Sequence, residues 1–443
     1  MKSRLTLQAS VIFWLVLGLF SCKTPDVFSK REVSSLSKMV SSVSKETKAF
    51  SGWIIRDASS GKILFDANGD KYFTPASNTK ILTLFVSDLL LPDTLPSIKY
   101  FYKNDTLIFR GFGDPTFLHE DFQYWQTTFQ FLQSHNGPIK FDFSNFDESA
   151  YGKGWMWDDY PYAFQAEKAP LPMYQNCVRF EKDSFSSLEV FPPYFDDFLI
   201  VEQAAQKIYR LENGNLFFRP PVFEKDATLN KKIPFRWSPQ LVQQMLEDTL
   251  QKQVMLQLST VPDSFFQNTL YSTPKDTVLA LMMQDSDNQI AEQLLLMCAE
   301  KQFGNQQTEK IIEWALDSLF KNAPQDIKWV DGSGISRYNL VTPETISYIL
   351  FKLWNRMGPD RFLKIFPAGG VSGTIKDYYK SDTPYVFAKT GTLRYVHNLS
   401  GIVYTSSGKP LIFSFMHNNF PSGSIIMKRE MEKMLEMIRE MGN

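Results

Sequence analysis

A helix and a hairpin open this chain, and a hairpin and a helix close it. Val33 to Phe50 is rich in Ser and Lys and sets Val33, Leu36, Val40 and Val43 at helical spacing. Trp53-Ile54-Ile55 and Ile63-Leu64-Phe65 flank Ala58-Ser59-Ser60-Gly61, the pattern of a β-hairpin. The tail mirrors this order. Tyr385 to Ala388 reads as a short strand, Leu399 to Thr405 and Leu411 to His417 pair around Ser406-Ser407-Gly408-Lys409, and Ile425 to Met441 reads as a last helix. Residues 90–265 differ in character. They are rich in Phe, Tyr, Pro and Asp, with short strand-like runs such as Leu107-Ile108-Phe109. This stretch reads as a mostly β insertion, one or two subdomains, in a domain made of residues 23–89 and 266–443.

Composition narrows the function. The 443 residues suffice for two or three domains. With 43% hydrophobic and 21% charged residues the chain is globular. Lys plus Arg (47) and Asp plus Glu (48) nearly cancel, and no charge block is long enough for a nucleic-acid arm, so no nucleic-acid partner is expected. Aromatics at 15% suit large cores or an aromatic-lined cleft. The 3 Cys and 4 His show no metal-ligand spacing, so neither a metal site nor a disulfide framework is indicated. His119, His135, His397 and His417 stand apart and read as structural, which makes metal hydrolysis and His-based triads weak options. Cys177 and Cys298 are expected to be free thiols.

The first 22 residues read as an address. Lys2 and Arg4 precede an apolar run from Leu5 to Phe20, the length of a signal core and short for a membrane span. Leu19-Phe20-Ser21-Cys22 resembles a bacterial lipobox, with Phe20 bulkier than the common pattern. That resemblance implies cleavage before Cys22, lipidation of its thiol and a lipid anchor in a bacterial membrane. An ordinary signal peptide is the alternative, and export to the periplasm is expected with either.

Three short motifs carry chemistry. Ser-x-x-Lys puts a hydroxyl and an amine on one helix face, where a Lys that readily gives up its proton can activate the Ser. The pattern begins at Ser35, Ser42, Ser59, Ser77, Ser272, Ser318 and Ser406. Context selects Ser77 with Lys80: Pro75-Ala76 precedes it and a strongly apolar helix follows, so Ser77 is expected at a helix N-terminus, where backbone N–H groups favour developing negative charge. Taken alone, Ser77 reads at least as well as a plain helix cap. Ser286-Asp287-Asn288 interrupts an otherwise apolar helical stretch, again consistent with a cap or a site. Lys389-Thr390-Gly391-Thr392 occurs once, after a strand. Its Gly permits close approach of a substrate backbone, and its Lys and Thr side chains suit a carboxylate.

In this order the three motifs resemble those of the penicillin-binding proteins and serine β-lactamases. About 200 residues separate Ser77 from Ser286. That large insertion is similar to the one in the D-alanyl-D-alanine carboxypeptidase/endopeptidase group, the class C low-molecular-mass penicillin-binding proteins of peptidase family S13. Gly111-Phe112-Gly113-Asp114-Pro115-Thr116, Trp155-Met156-Trp157-Asp158-Asp159, Ala169-Pro170, Asp331 to Arg337 and Gly370-Val371-Ser372-Gly373-Thr374 fit the same group. The resemblance implies an α+β fold, an antiparallel sheet flanked by N- and C-terminal helices plus a helical cluster. It implies a serine DD-peptidase that hydrolyses D-Ala-D-Ala, and D-Ala–diamino-acid cross-links as an endopeptidase, in peptidoglycan stem peptides, with β-lactams as inhibitors. Ser77 would be the acylated nucleophile, Lys80 its base, Ser286 the proton relay and Lys389 its electrostatic partner. Asn288 would hold the substrate backbone, Thr390, Gly391 and Thr392 would form the carboxylate-binding strand, and the N–H groups of Ser77 and Thr392 the oxyanion hole. An acidic residue of the insertion, Asp159 by position, with Asp158 as the alternative, would take the amine end of the stem-peptide side chain. No metal or organic cofactor is implied.

Two other classes remain open from sequence. A serine β-lactamase or esterase is one, although the chain is long, has Ser-Asp-Asn where class C β-lactamases have Tyr, and lacks a Glu-x-x-Leu-Asn segment. A non-catalytic peptidoglycan-binding or β-lactam-sensing lipoprotein is the other. Acylation without turnover would mark a sensor.

Overall fold

Both chain ends enter one antiparallel sheet, and its two faces decide everything else. The computed structural model describes residues 28–183, 187–223, 228–421 and 423–441. The chain begins with α1 (Lys30–Thr47), β1 (Phe50–Asp57) and β2 (Ile63–Ala67), then a 3-10 turn (Ala76–Thr79) that runs into α2 (Lys80–Leu90). Next come β3 (Thr94–Lys103), β4 (Thr106–Gly111), α3 (Thr127–Ser134), β5 (Ile139–Asp142), β6 (Cys177–Lys182), β7 (Glu189–Phe191), β8 (Leu199–Val201), β9 (Tyr209–Arg210), β10 (Phe217–Arg219), β11 (Leu229–Pro234), α4 (Pro239–Leu250), β12 (Val254–Leu256) and β13 (Asn268–Pro274). The rest is α5 (Lys275–Gln284), α6 (Asn288–Phe303), α7 (Thr308–Ser318), α8 (Pro343–Met357), α9 (Pro359–Ile365), β14 (Val386–Leu393), β15 (Val396–Tyr404), β16 (Pro410–Asn418) and α10 (Ser424–Glu440).

The first sheet has the order β14-β15-β16-β1-β2, so the opening and closing hairpins meet where β1 pairs with β16, Trp53 opposite Phe415. Period-2 alternation splits its side chains between two cores. Leu411, Phe413 and Phe415 face α1 and α10, whose Leu36, Val40, Val43, Met427, Met431 and Leu435 seal that side. Ile402, Ile412 and Met416 face the helical cluster of α2, α5, α6, α7, α8 and α9. The helix expected over residues 33–50 is α1, stopped by Lys48 in the left-handed conformation, and the helix expected over 425–441 is α10.

Inside the cluster, α2 is buried continuously from Lys80 to Asp88 and α6 from Gln289 to Glu300. A helix buried all round is fixed by its neighbours on every side, so the residues at their N-termini are placed rigidly. Asp88, at the far end of α2, clamps three elements at once: Arg356 Nε at 2.6 Å, Arg361 Nη2 at 2.6 Å and Lys275 Nζ at 3.8 Å. Asp88→Ala removes a shared carboxylate from Lys275, Arg356 and Arg361, although Lys275 keeps the backbone carbonyls of residue 88 and Leu91, and Arg361 keeps Asp276. We expect a loss of about 2–3 kcal/mol, discounted because the arginines are partly exposed, read as a lower thermal midpoint.

A second sheet, β12-β5-β4-β3-β13, backs a separate core of Ile98, Leu107, Phe109 and Phe141 with α4, and two three-stranded sheets, β8-β10-β9 and β11-β6-β7, extend it. β13 pairs antiparallel with β3. It lies beyond the boundary expected at residue 265, so that sheet closes only at Pro274. Cys177 and Cys298 are both buried free thiols. The apolar run before Cys22, and Cys22 itself, lie outside the described residues. Among the described residues no helix is long and apolar enough to cross a membrane.

Candidate active site

Three motifs far apart in sequence converge on one cavity of about 1020 Å³. Ser77 lies at a helix N-terminus, as its context suggested, but the first turn is 3-10 rather than α. It sits in the 3-10 turn Ala76–Thr79, one turn ahead of α2. Ala76, just before it, adopts a left-handed φ of 48°, a conformation that costs a residue with a side chain energy and persists only when its surroundings impose it. Those surroundings are visible. The Asn78 amide donates to the Lys389 carbonyl at 2.8 Å, Asn398 Nδ2 donates to the carbonyls of Thr74 and Pro75, and Gly334 lies against the Ala76 carbonyl. The Ser77 hydroxyl does not act as a cap among the described residues. Its partner is Lys80 Nζ at 3.2 Å.

Lys80 is fully buried, and its ammonium is fully engaged. Besides Ser77, it donates to Asn288 Oδ1 at 2.6 Å and to the Ser333 carbonyl at 2.8 Å. An ammonium has three donors, and all three are used here. Asn288 Oδ1 and the Ser333 carbonyl can only accept. When Lys80 loses a proton, its two remaining N–H bonds stay with them, and the lone pair is left facing Ser77. Burial, opposed by the charges of Asp287, Glu292 and Asp331, pushes Lys80 down to about 8, so the free base is accessible near neutral pH.

Ser286 lies between α5 and α6 with a left-handed φ of 61°. Its hydroxyl accepts from Lys389 Nζ at 2.8 Å. Lys389 is buried, and burial followed by the nearby charge of Lys80 holds it well below the ordinary lysine range. Asn288 opens α6, behind the Asp287 cap on Ile290 N–H, and donates through Nδ2 to the Phe164 carbonyl of the inserted region at 2.9 Å. Lys389 to Thr392 lie inside β14, which continues past the expected end at Ala388 to Leu393. β14 is an edge strand of the first sheet, so its free side can pair with an extended backbone. Gly391 is required by space. A Cβ there would lie 2.5 Å from the Pro75 carbonyl oxygen and 3.1 Å from Ser77 N. The Thr390 hydroxyl donates to Thr374 Oγ1 at 2.8 Å, and Thr392 lines the cavity.

Asp159 and Asp158 line the same cavity, on a 3-10 turn of the inserted region, with Arg337 and Arg394 among the lining residues. Partial burial and the charge of Asp158 raise the Asp159 carboxyl, and Arg337 opposes this. Asp159 is thus a wall residue, apart from the Ser77–Lys80–Asn288 contacts.

Three contributors carried no site role in the sequence reading. His397, which reads as structural in the sequence, sits opposite Thr392 in register, and its Nδ1 lies 2.8 Å from Thr392 Oγ1. Burial pushes it down to about 3, so the imidazole is neutral at pH 7. Its cross-strand position left no local signal. Asp331 organises the loop under Lys80 by accepting from the N–H groups of Gly334 and Ser336, from Asn339 Nδ2 and from the Trp155 indole at 2.9 Å. Glu292, four residues after Asn288 and therefore on the same helix face, accepts from Ser333 N–H at 2.8 Å.

A half-buried serine bonded to a buried lysine beside a Lys-Thr-Gly edge strand defines an active-serine hydrolase. The chain belongs to the D-Ala-D-Ala carboxypeptidase 3 (S13) family, whose profile matches residues 34–189 and 237–441, and it is a serine-type D-Ala-D-Ala carboxypeptidase. It is 24% identical over 439 residues to the D-alanyl-D-alanine carboxypeptidase DacB of Haemophilus influenzae, covering 88% of this chain and 90% of that one. The fold is similar to that of penicillin binding protein 4 (dacB) from Haemophilus influenzae, with a TM-score of 0.74 and 21% identity over 90% of this chain and 99% of that one. That protein has also been solved in complex with a β-lactam. A predatory peptidoglycan endopeptidase from Bdellovibrio bacteriovorus matches with a TM-score of 0.53 and 16% identity, over 89% of this chain and 94% of that one.

Proposed function

We propose that this chain trims peptidoglycan stem peptides by acyl transfer through Ser77. The observation that carries the reading is the Lys80 amine, buried and held so that its deprotonated lone pair can face only the Ser77 hydroxyl. Ser77 Oγ attacks the carbonyl of the penultimate D-alanine as its proton passes to Lys80. The N–H groups of Ser77 and Thr392 take the oxyanion, each donor worth a hundredfold or more. The C–N bond breaks, and Ser286, poised by Lys389, delivers the proton to the departing D-alanine nitrogen. Water then hydrolyses the Ser77 ester and restores the hydroxyl. Asn288 holds the substrate backbone, Thr390 and Thr392 its terminal carboxylate beside Gly391, and Asp159 the amine end of the side chain. A β-lactam enters the same cycle and stalls as the ester.

Similarity to a peptidoglycan endopeptidase fold supports cleavage of cross-links as a second activity. Cys22 after its apolar run supports lipidation there and a periplasmic, membrane-anchored enzyme. One experiment covers these points. The full chain, purified in detergent from a bacterial membrane, is incubated with a pentapeptide muropeptide, with a cross-linked dimer, or with penicillin, then digested and weighed. Expected are loss of one D-alanine, dimer cleavage, a penicillin adduct mapped to the Ser77 peptide, and a lipid-modified N-terminus at Cys22. An adduct without turnover of any peptide would make the chain a sensor, and no adduct on a folded chain would sink the acyl-enzyme reading.

A further inference from the structure

Behind the Ser77–Lys80 pair lies a buried carboxylate that the reaction, as derived above, does not use. Glu292 is 2% exposed, one helical turn after Asn288 on α6. Its Oε1 accepts from Ser333 N–H at 2.8 Å, and the carbonyl of that same residue accepts from Lys80 Nζ at 2.8 Å. Its Oε2 is buried with no hydrogen bond of good geometry among the described residues, and the Gly332 backbone and Ser333 side chain ease the carboxylate only at longer range. A buried carboxylate with one oxygen unpaired is costly, so the fold retains it against a penalty. Gln at this position would make the same Ser333 contact.

We propose that Glu292 is a positioning residue for Lys80: it fixes Ser333, which holds the amine, and its charge sets how readily that amine gives up its proton. The inference rests on the Ser77–Lys80 reading and adds to it. The charged groups around the pair are few. From α6, Asp287 and Glu292 face Lys80; from the loop after α7, Asp331 does. Lys389 reaches it from β14, and Lys168 of the inserted region faces Glu292. Burial, then the charge of Asp331, push the Glu292 carboxyl up, while Lys168 and Ser333 pull it down. Glu292 therefore exchanges its proton in the same range as Lys80. When ionised it retains the proton on Lys80, and when neutral it lets that proton go. Burial pushes Lys80 down, and the acidic groups Asp287, Glu292 and Asp331 hold it up.

The test is the rate of Ser77 acylation by penicillin from pH 5.5 to 9.5 for the full chain and for Glu292→Gln and Glu292→Asp. In the wild type the rate rises with pH to a plateau. In Glu292→Gln, loss of one buried negative charge moves the midpoint down by about one pH unit. Glu292→Asp retains the charge but shortens the reach to Ser333, so its midpoint stays with the wild type while its plateau falls up to about tenfold. Coincident midpoints for wild type and Glu292→Gln would overturn the inference, with the Ser77 adduct still formed. No adduct in the wild type would instead sink the underlying reading. Should Glu292→Gln not fold, infrared titration of the wild type decides. A buried acid carbonyl band, displaced in Glu292→Asp, must vanish over the range in which acylation rises, and its absence there would overturn the proposal.

Discussion

Replacing Lys80 by methionine lowers the rate of Ser77 acylation about a thousandfold and removes the pH dependence that Lys80 imparts. The magnitude is that of a positioned general base, on the order of 10²–10⁴. Methionine fills a similar volume, so α2 and its neighbours keep their places, which an unchanged circular-dichroism spectrum would verify. The pH dependence follows from burial. With Lys80 at about 8, roughly one amine in ten is free base at pH 7, against about one in three thousand for an ordinary lysine. Only the free base can take the Ser77 proton, so wild-type acylation climbs steeply from pH 6, is half-maximal near the Lys80 value and levels off about one unit above it. The variant lacks that base, and its residual rate no longer follows the titration of Lys80. Rapid-mixing measurement of penicillin acylation checks both points. A Lys80→Met chain acylated at the wild-type rate, or a wild-type rate that falls between pH 6 and 8, would remove Lys80 from the role of base.

The parts of this site that could be read in the sequence are those whose geometry is local. Ser77 and Lys80 meet because they are three residues apart, and Ser286 and Asn288 flank the Asp287 cap because helix caps are written in short range. The hairpins at both ends declared themselves through alternation and turn residues. What stayed hidden depends on register or on distant packing. His397 reaches Thr392 only because β15 pairs with β14 at that register. Phe164 meets Asn288 through a backbone carbonyl, for which residue type carries no information. β13 joins the inserted sheet from beyond its expected end, since an edge strand paired to one far back in the chain, Asn268 with Tyr100, looks locally like any other. Ser77 does open a helix, but the 3-10 form of its first turn and the left-handed Ala76 between β14 and the Gly334 loop were not legible locally. Glu292 did leave a signal, its spacing of four from Asn288, but a Glu on an apolar helix reads first as a solvated residue.

Gly391→Ala tests whether the approach of β14 to the nucleophile turn is itself catalytic. The added methyl would meet the Pro75 carbonyl oxygen at 2.5 Å, Asn78 N at 2.9 Å and Ser77 N at 3.1 Å. All three are backbone atoms and cannot rotate away, so the strand or the turn must move by several tenths of an ångström. Asn78 resists, because its side chain is bonded to the Lys389 carbonyl and accepts from Ser400 Oγ, both on the sheet. The movement separates the N–H groups of Ser77 and Thr392 and tilts Lys389 away from Ser286. Loss of one aligned oxyanion donor costs about 10²–10³ in rate, and a misplacement on the order of 1 Å costs about 10². Acylation is therefore expected to fall at least about a hundredfold, with the thermal midpoint lowered by only a few degrees, since overpacking at one contact costs about 1–3 kcal/mol. Gly214→Ala is the control, for a Cβ there meets nothing within 4 Å, and its rate and midpoint should match the wild type. If Gly391→Ala acylates normally, the oxyanion is not held between these two elements, and the N–H groups that hold it must be sought on the Gly334 side of the turn.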